Sequence, residues 1–310
     1  MVKKNKTIRE IIDHCRVPPK EKIRLKDYDD GWRGSKEMRA LLGAEDEEEQ
    51  KERALEILEQ NRLALGEAQA RLYAQDTYGV LVVFQAIDAA GKDGTIKHVM
   101  SGLNPQGTQV VSFKTPSAEE LDHDFIWRCY KALPARGQIG IFNRSHYEEV
   151  LVVRVHPEFL EGQKLPEGKR GKKFWKKRYQ SINDFERHLV RNGFVVVKFF
   201  LHISKDEQKK RFLARMDDPE KNWKFSTADL AERDLWDDYI KAYEETFRAT
   251  STKWAPWYVI PGDHKWIART LVAEILTHTI LNLGVDFPQT TEKEAANMES
   301  VRNVLLIEGE

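Results

Sequence analysis

The strongest constraint on the fold is a short run, Gly79–Ala86, in which every residue except one glycine and one glutamine is hydrophobic. A continuous apolar run of this length is typical of a parallel strand that helices cover on both faces. Similar runs follow, separated by helical patterns, at 109–113, 138–142, 194–201 and 257–260. Strands that alternate with helices predict an α/β fold with a doubly wound parallel sheet of about five strands.

The first apolar run leads directly into a loop of small residues and a Gly-Lys pair that opens a helical pattern. In this context the backbone N–H groups of the loop and of the helix N-terminus can bind an anion, and the lysine ammonium can reach its outermost phosphate. A plain strand-to-helix turn is the alternative. We expect phosphate binding by Ala89, Ala90, Gly91, Lys92, Asp93 and Gly94.

The loop departs twice from the usual phosphate-binding pattern. Ala86 stands where the first glycine is usual, and Asp93 replaces the Ser or Thr that ordinarily meets magnesium. A bound Mg²⁺ therefore needs another oxygen ligand. Asp88, inside the loop, is the candidate, and its alternative role is to cap the loop.

Polar residues also follow the third apolar run, in the segment Asn143-Arg144-Ser145-His146-Tyr147-Glu148. The carboxyl ends of the strands face the ligand in open α/β sheets. We expect Arg144 to stand beside the loop and bind phosphate oxygens, although a salt bridge to a neighbouring helix is the alternative. Asn143 takes the place of a magnesium-orienting aspartate, and His146 is either a base or a hydrogen-bonded structural residue.

Several spaced motifs together resemble those of the family-2 polyphosphate kinases. They are AIDAAGKDGTI from Ala86, NRSHYEE from Asn143 and DDPEKNWKFS from Asp217, within a similarity that spans about 71–283. The resemblance implies a thymidylate-kinase-like P-loop fold and magnesium-dependent transfer of phosphate between inorganic polyphosphate and AMP, ADP or ATP. Many members carry Asp where this chain has Asn143. The Asn143 and Glu148 pattern is similar to the subgroup that accepts both AMP and ADP.

The resemblance also implies roles for individual residues. It assigns Lys92 to the phosphates, Asp88 to magnesium and catalysis, Arg144 to the transferring phosphate, and Glu148 with Asn143 to the nucleotide. A helical lid at about 205–228 would close over the phosphates, because arginines four residues apart share one helical face. A solvated basic helix is the alternative for these lid residues, which are Arg211, Arg215, Lys221 and Lys224.

The segment 168–178 holds seven Lys or Arg in eleven residues, GKRGKKFWKKR. A charge run is usually a solvated surface, but a polyphosphate chain would need such a positive track. RNA could bind the same stripe, although its two aromatic residues, Phe174 and Trp175, are too few and too clustered for base stacking.

The overall charge limits the class of partner. Lys+Arg and Asp+Glu are equal at 50 each, whereas nucleic-acid-binding proteins usually have a basic surplus. We therefore expect no nucleic-acid partner. The N-terminus lacks an apolar signal region and no long apolar stretch follows, so we expect no membrane partner and a cytoplasmic protein.

The chain divides into three predicted parts. An N-terminal helical arm with an amphipathic helix at 46–73 covers residues 1–75, the phosphotransferase domain covers 76–285, and a tail that is loose or packs at a subunit contact covers 286–310. These helices favour a homo-oligomer, a dimer or tetramer.

We expect in-line phosphoryl transfer, in which positioning and charge neutralisation supply most of the rate and no nucleophilic side chain is needed. Two other functions remain open on sequence. One is an ATP-dependent nucleoside or nucleotide kinase of the same fold. The other is a non-catalytic nucleotide sensor that signals through the segment 1–75.

Overall fold

A computed structural model of the chain describes residues 2–33 and 46–308, except for the side chains of residues 2–8, Glu47 and Lys224. Its centre is one parallel five-stranded sheet, whose strands occur in the order β2-β3-β1-β4-β5. The strands are β1 (Gly79–Ala86), β2 (Thr108–Ser112), β3 (Ile139–Asn143), β4 (Phe194–His202) and β5 (Trp257–Pro261). The predicted fold class is confirmed, and the strand bounds lie within one residue of those expected.

Helices cover both faces of the sheet. Their bounds are α1 (Val2–Cys15), α2 (Glu47–Gln75), α3 (Lys92–Met100), α4 (Ala118–Leu121), α5 (Trp127–Lys131), α6 (Val152–Val155), α7 (Lys172–Arg191), α8 (Lys205–Asp217), α9 (Ala228–Asp234), α10 (Trp236–Thr250), α11 (Lys265–Leu281) and α12 (Glu292–Ile307). Short 3-10 turns occur at Leu25–Asp27, Pro105–Gly107, His146–Val150, Pro157–Gln163 and Asn222–Lys224.

The central strand β1 is buried along its whole length, as its sequence requires. Alternate side chains point to opposite faces of a strand. Val80 and Val82 join the core beneath α2, α3 and α11, whereas Leu81 and Val83 join the core beneath α7 and α10. The two apolar cores explain why β1 lacks the polar alternation of a half-exposed strand.

Some helical predictions were wrong in detail. The patterns at 117–131 and 227–250 each suggest one helix, but each forms two, and the second breaks at Leu235. The sequence also suggests a helix over 147–155, where the structure instead has a 3-10 turn before α6. The break before α5 follows from local capping, because Asp124 accepts a hydrogen bond from the backbone N–H of Ile126 at 2.9 Å.

The N-terminal segments pack against the sheet domain. Helix α2 lies along α11, where Leu58, Leu65 and Leu72 are buried, and Thr270 in α11 donates to the Ala54 carbonyl at 3.1 Å. Beyond α1, the Val17 N–H donates to the Trp257 carbonyl of β5 at 2.9 Å. The helical arm therefore wraps on the body of the same chain.

The C-terminal segment contains a regular helix. Thr291 and Glu294 form a reciprocal capping box at the start of α12, which is why a polar tail becomes helical here. None of the residues of α12 is buried, and its exposed side chains include Met298, Val301 and Leu305. Within residues 2–33 and 46–308, the structure has no helix long and apolar enough to cross a membrane.

Candidate active site

The phosphate loop joins β1 to α3. Gly91 caps α3 with a φ of 93°, a left-handed conformation that glycine adopts without steric cost. Ala89 has a φ of 63°, which is strained for alanine and is therefore held in place by its surroundings. The first-turn N–H groups of a helix have no intrahelical acceptors, so the start of α3 can bind an anion.

Lys92 begins α3 and turns back over the loop. Its Nζ donates a hydrogen bond to the Ala86 carbonyl at 2.9 Å, which places the ammonium group at the base of the loop. Burial lowers the pKa of Lys92, and the nearby Asp88 carboxylate partly opposes this change. An ammonium that has lost part of its water shell interacts strongly with an incoming phosphate.

Arg144 follows β3 and reaches the loop as expected. Its φ is 63°, and its backbone N–H donates to the Phe84 carbonyl of β1 at 3.0 Å. Nη2 of Arg144 lies 3.4 Å from Oδ1 of Asp88. Burial disfavours the guanidinium charge, but Glu148 and Asp88 outweigh it and raise the pKa of Arg144. The guanidinium therefore stays charged beside the loop.

Glu148 is a buried carboxylate that interacts electrostatically with Lys92 and Arg144. Burial raises the pKa of its carboxyl group, although Arg144 and Lys92 pull it in the opposite direction. It is not among the described residues that line the cleft over the loop. In this structure Glu148 influences the site through its charge, and its predicted contact with the nucleotide stays a prediction.

Asn143 connects the end of β3 to the start of α3. Its Nδ2 donates to Asp93 Oδ1 at 2.9 Å and to Ser112 Oγ at 3.4 Å. Asp93, which replaces the usual Ser or Thr, thus accepts a hydrogen bond from the Asn143 amide. Both Asn143 and Asp93 line the cleft.

All three guanidinium nitrogens of Arg211, in the lid helix α8, donate hydrogen bonds, and one of them binds the loop. Nη1 donates to the Ala89 and Ala90 carbonyls at 3.3 and 2.8 Å. Nη2 donates to the Gly262 and Asp263 carbonyls at 2.6 and 3.1 Å, and Nε to Glu207 at 2.8 Å. This arginine fixes the strained loop in position, and its role as a phosphate ligand stays a prediction.

The other lid cations have acidic neighbours. Arg215 Nη1 lies 3.2 Å from Asp229 Oδ2, and Lys221 pairs with Asp218. Arg215 and Lys221 both line the cleft, as does Trp223. The side chain of Lys224 lies outside the described residues. The lid therefore brings two predicted cations over the loop.

All these elements surround one cleft of about 790 Å³ above the carboxyl ends of the strands. Eight basic side chains line it, against two acidic ones, Asp88 and Asp93. Three of the basic residues were missed by sequence reasoning, namely Lys114, Lys265 and Arg269. Lys114 lies in the loop after β2, and Lys265 and Arg269 lie at the start of the helix after β5. Their positions beyond strand ends were the signal that could have found them.

Comparison with known proteins identifies the family. The family model for polyphosphate kinase 2 matches residues 45–287. The chain belongs to the polyphosphate kinase 2 family. The ADP-polyphosphate phosphotransferase of Rhodopseudomonas palustris is 54% identical over 259 residues, covering 83% of this chain and 90% of the relative. The AMP/ADP-polyphosphate phosphotransferase of Meiothermus ruber is 48% identical over 239 residues, covering 77% of this chain and 85% of the relative.

Solved structures agree with this assignment. The crystal structure of polyphosphate kinase 2 from Arthrobacter aurescens TC1 superimposes with a TM-score of 0.82 at 38% identity, covering 96% of this chain and 97% of that chain. The sheet order and phosphate loop are accordingly those of a P-loop kinase fold.

In this polyphosphate kinase 2 chain, His146 lies in the core and not in the cleft. It is fully buried, its Nε2 lies 3.6 Å from Glu186, and burial lowers its pKa. The cleft-lining residues do not include it. Of the two roles left open by the sequence, the geometry favours packing over general base chemistry.

The basic run 168–178 is divided between structure and surface. Arg178 is buried and pairs with Glu149 at 2.6 Å, whereas Lys173 and Lys177 are exposed. None of the run lines the cleft among the described residues. A polyphosphate track along this run stays a prediction.

Proposed function

We propose that this chain transfers the terminal phosphoryl group of inorganic polyphosphate to ADP, AMP or both, in a reversible reaction. The observation that carries the proposal is a phosphate loop inside a cleft lined by eight basic and two acidic side chains. Such an excess of positive charge suits a reaction in which both donor and acceptor are polyanions. The names of the relatives from Rhodopseudomonas palustris and Meiothermus ruber support this choice of substrates.

The acceptor phosphate oxygen attacks the terminal phosphorus of the donor in line, and the remaining chain leaves from the opposite side. The bond from that phosphorus to its bridging oxygen breaks, and the chain leaves one phosphate shorter. Lys92 and Arg144 neutralise charge on the transferring group from the two sides of the loop. No proton has to be taken from the acceptor at neutral pH, because a phosphate oxygen is already an anion.

Magnesium fits the residues that surround the loop. Mg²⁺ prefers one or two carboxylates together with water and substrate phosphates, and Asp88 supplies a half-exposed carboxylate in the cleft. The described residues contain no cluster of three or more His, Cys, Asp or Glu that would form a complete protein site. When bound, the ion would offset phosphate charge, with Asp88 as its protein ligand.

The acceptor side lies between β2 and β3. Asn143, Arg144 and Lys114 line this part of the cleft, with the Glu148 carboxylate behind them. We place the nucleotide phosphate there. As a separate point, we propose that the protein is a cytoplasmic homo-oligomer in which the exposed helices meet. An ATP-dependent kinase of the same fold is disfavoured, because the matched family and the quoted relatives have polyphosphate in their names.

The test is an assay with Mg²⁺, polyphosphate and either ADP or AMP, in which the nucleotides are separated by chromatography. We expect new ATP or ADP from the wild type and a loss of at least about 10²-fold in kcat for Lys92→Ala, the usual effect of removing one charge-stabilising donor. Lys97→Ala, an exposed residue on the same helix, is the matched control and should remain active. Circular dichroism would check that both variants are folded.

Near-normal turnover by a folded Lys92→Ala variant would refute the role of the loop. Product formation from ATP but not from polyphosphate would instead support the ATP-dependent kinase. No turnover with either donor, combined with nucleotide binding, would support a non-catalytic sensor.

A further inference from the structure

The β5 side of the cleft carries two cations that the roles described so far leave unused. Lys265 and Arg269 lie four residues apart at the start of α11, on one helical face, and both line the cleft. Arg269 Nη2 lies 3.7 Å from the point that a Cβ on Gly94 would occupy. The guanidinium therefore reaches the first turn of α3, next to the phosphate loop.

These cations stand in an unfavourable electrostatic position. The N-terminus of a helix carries partial positive charge and favours acidic residues, yet the first turn of α11 has none. Partial burial and the nearby Arg211 lower the pKa of both side chains. Neither forms an ion pair within the described parts of the chain, although the Glu207 carboxylate partly offsets the repulsion at Lys265. The Arg269 Nε is buried without a hydrogen bond there. A bound anion would relieve this repulsion.

The position of α11 relative to the loop is fixed. Arg211 donates to the loop carbonyls of Ala89 and Ala90 and also to the Gly262 and Asp263 carbonyls just before α11. One buried guanidinium thus joins the phosphate loop to the start of α11. The two anion-binding surfaces are held side by side before any ligand arrives, which reduces the cost of binding a ligand that spans both.

The sheet order separates the cleft into two sides. Strand β1 and its loop lie in the middle, with β3 and β2 on one side and β4 and β5 on the other. Arg144 and Asn143 stand on the first side, whereas Lys265 and Arg269 stand on the second. Donor and acceptor must approach the transferring phosphoryl group from opposite sides in an in-line reaction.

We propose that Lys265 and Arg269 bind the phosphates of the donor chain that follow the transferring one, so that polyphosphate runs from the loop toward α11. This inference rests on the proposed function and adds a direction to it. The two cations form a subsite for an inorganic phosphate chain, and they make a long chain a better donor than a short one. The nucleotide then occupies the β2–β3 side.

The test is the double variant Lys265→Met/Arg269→Met, which removes both charges but keeps long, unbranched side chains at these positions. We expect the KM for long-chain polyphosphate to rise at least about tenfold, as two charge-assisted contacts warrant. The KM for ADP should stay within a factor of about two. The preference for long-chain polyphosphate over inorganic tetraphosphate should shrink, and the KM for polyphosphate should depend less steeply on salt, because fewer cations contact the chain.

The matched control is Lys22→Met/Lys26→Met, which removes two exposed lysines, also four apart, that do not line the cleft. It should leave both KM values unchanged. Chemical unfolding adds a readout that a structural role would move in the opposite direction. The α11 variant should unfold at the same or a slightly higher denaturant concentration, because it loses repulsion at the helix N-terminus.

The possible failures are distinguishable. A wild type that makes no ATP from polyphosphate refutes the proposed function itself. An active wild type, with an unchanged KM for polyphosphate in the α11 variant, overturns only the subsite. A rise in the KM for ADP alone also overturns it, because the cations would then serve the nucleotide.

Discussion

A buried ion pair beneath the cleft offers a sharp test of how the site is held. Lys198 of β4 and Glu186 of α7 are both fully buried, and Nζ lies 2.6 Å from Oε2. Tyr147 donates to the other carboxylate oxygen at 2.6 Å, and Lys198 also donates to the Tyr147 hydroxyl and the Thr250 carbonyl, each at 2.9 Å. Tyr147 directly precedes Glu148, so the pair anchors the segment that carries Arg144.

Removing only one charge should be costly. Lys198→Met leaves the Glu186 carboxylate buried without its cation, and such uncompensated charges lower the free energy of unfolding by about 3–5 kcal/mol. Lys198→Met/Glu186→Leu removes both charges, which is often neutral or stabilising, but it also removes the acceptor of the Tyr147 hydroxyl, at about 1–3 kcal/mol. The Thr250 carbonyl loses Lys198 in both variants, so that cost cancels in the comparison. We therefore expect the double variant to be roughly 2 kcal/mol more stable than Lys198→Met.

Urea unfolding at one fixed protein concentration measures these differences, with Lys97→Met as an exposed control that should match the wild type. In the double variant we expect kcat to fall while the KM for polyphosphate stays the same, because the 143–148 segment is less well positioned. A loss below about 1 kcal/mol in Lys198→Met would refute the reasoning on burial. A double variant that is less stable than Lys198→Met would refute the reasoning on uncompensated charge.

Two further predictions concern single residues. Arg211→Lys keeps the charge but cannot bond four carbonyls, so we expect kcat/KM to fall about 10²-fold and hydrogen exchange to quicken in the 86–91 loop; unchanged exchange would contradict the fixing role. Burial lowers the pKa of His202 from its usual 6.5 to about 4, so the imidazole binds a proton more readily in the unfolded chain than in the folded one. Stability should fall between pH 6.5 and about 4, by about 2 kcal/mol at pH 5. His202→Gln should flatten that dependence in urea unfolding, and an equally steep loss would exclude His202 as its source.

The sheet could be predicted from sequence because its signal is local. Each strand is a short apolar run that is buried on both faces, and Gly79–Ala86 matches the observed strand at both ends. The helical segments were harder, because their division depends on single contacts. The break after α9 at Leu235 cannot be seen in the spacing of the apolar residues. The C-terminal tail forms a helix because Thr291 and Glu294 make a capping box at its start.

The site was predictable in part for the same reason. Asp88, Lys92 and Arg144 follow strand ends, so topology alone brings them together. The spacing of the motifs in the sequence does not reveal which side chains pair with each other. Asn143 binds Asp93 across 50 residues, and only the fold puts these two side chains at 2.9 Å.

A basic side chain in a phosphate site can either hold the protein together or bind the ligand. The structure distinguishes these two roles, which the sequence alone could not. Arg211 and Arg178 have most of their donors on carbonyl or carboxylate oxygens, so their charge stabilises the loop and the α7 contact. Lys265 and Arg269 have no such partners within the described residues, and they stand against a helix dipole. A cation whose placement costs stability needs a compensating ligand, and a phosphate chain that leaves the loop toward β5 supplies one. The same reasoning explains why the strained Ala89 can persist, because the cation that holds it does not have to leave when substrate arrives.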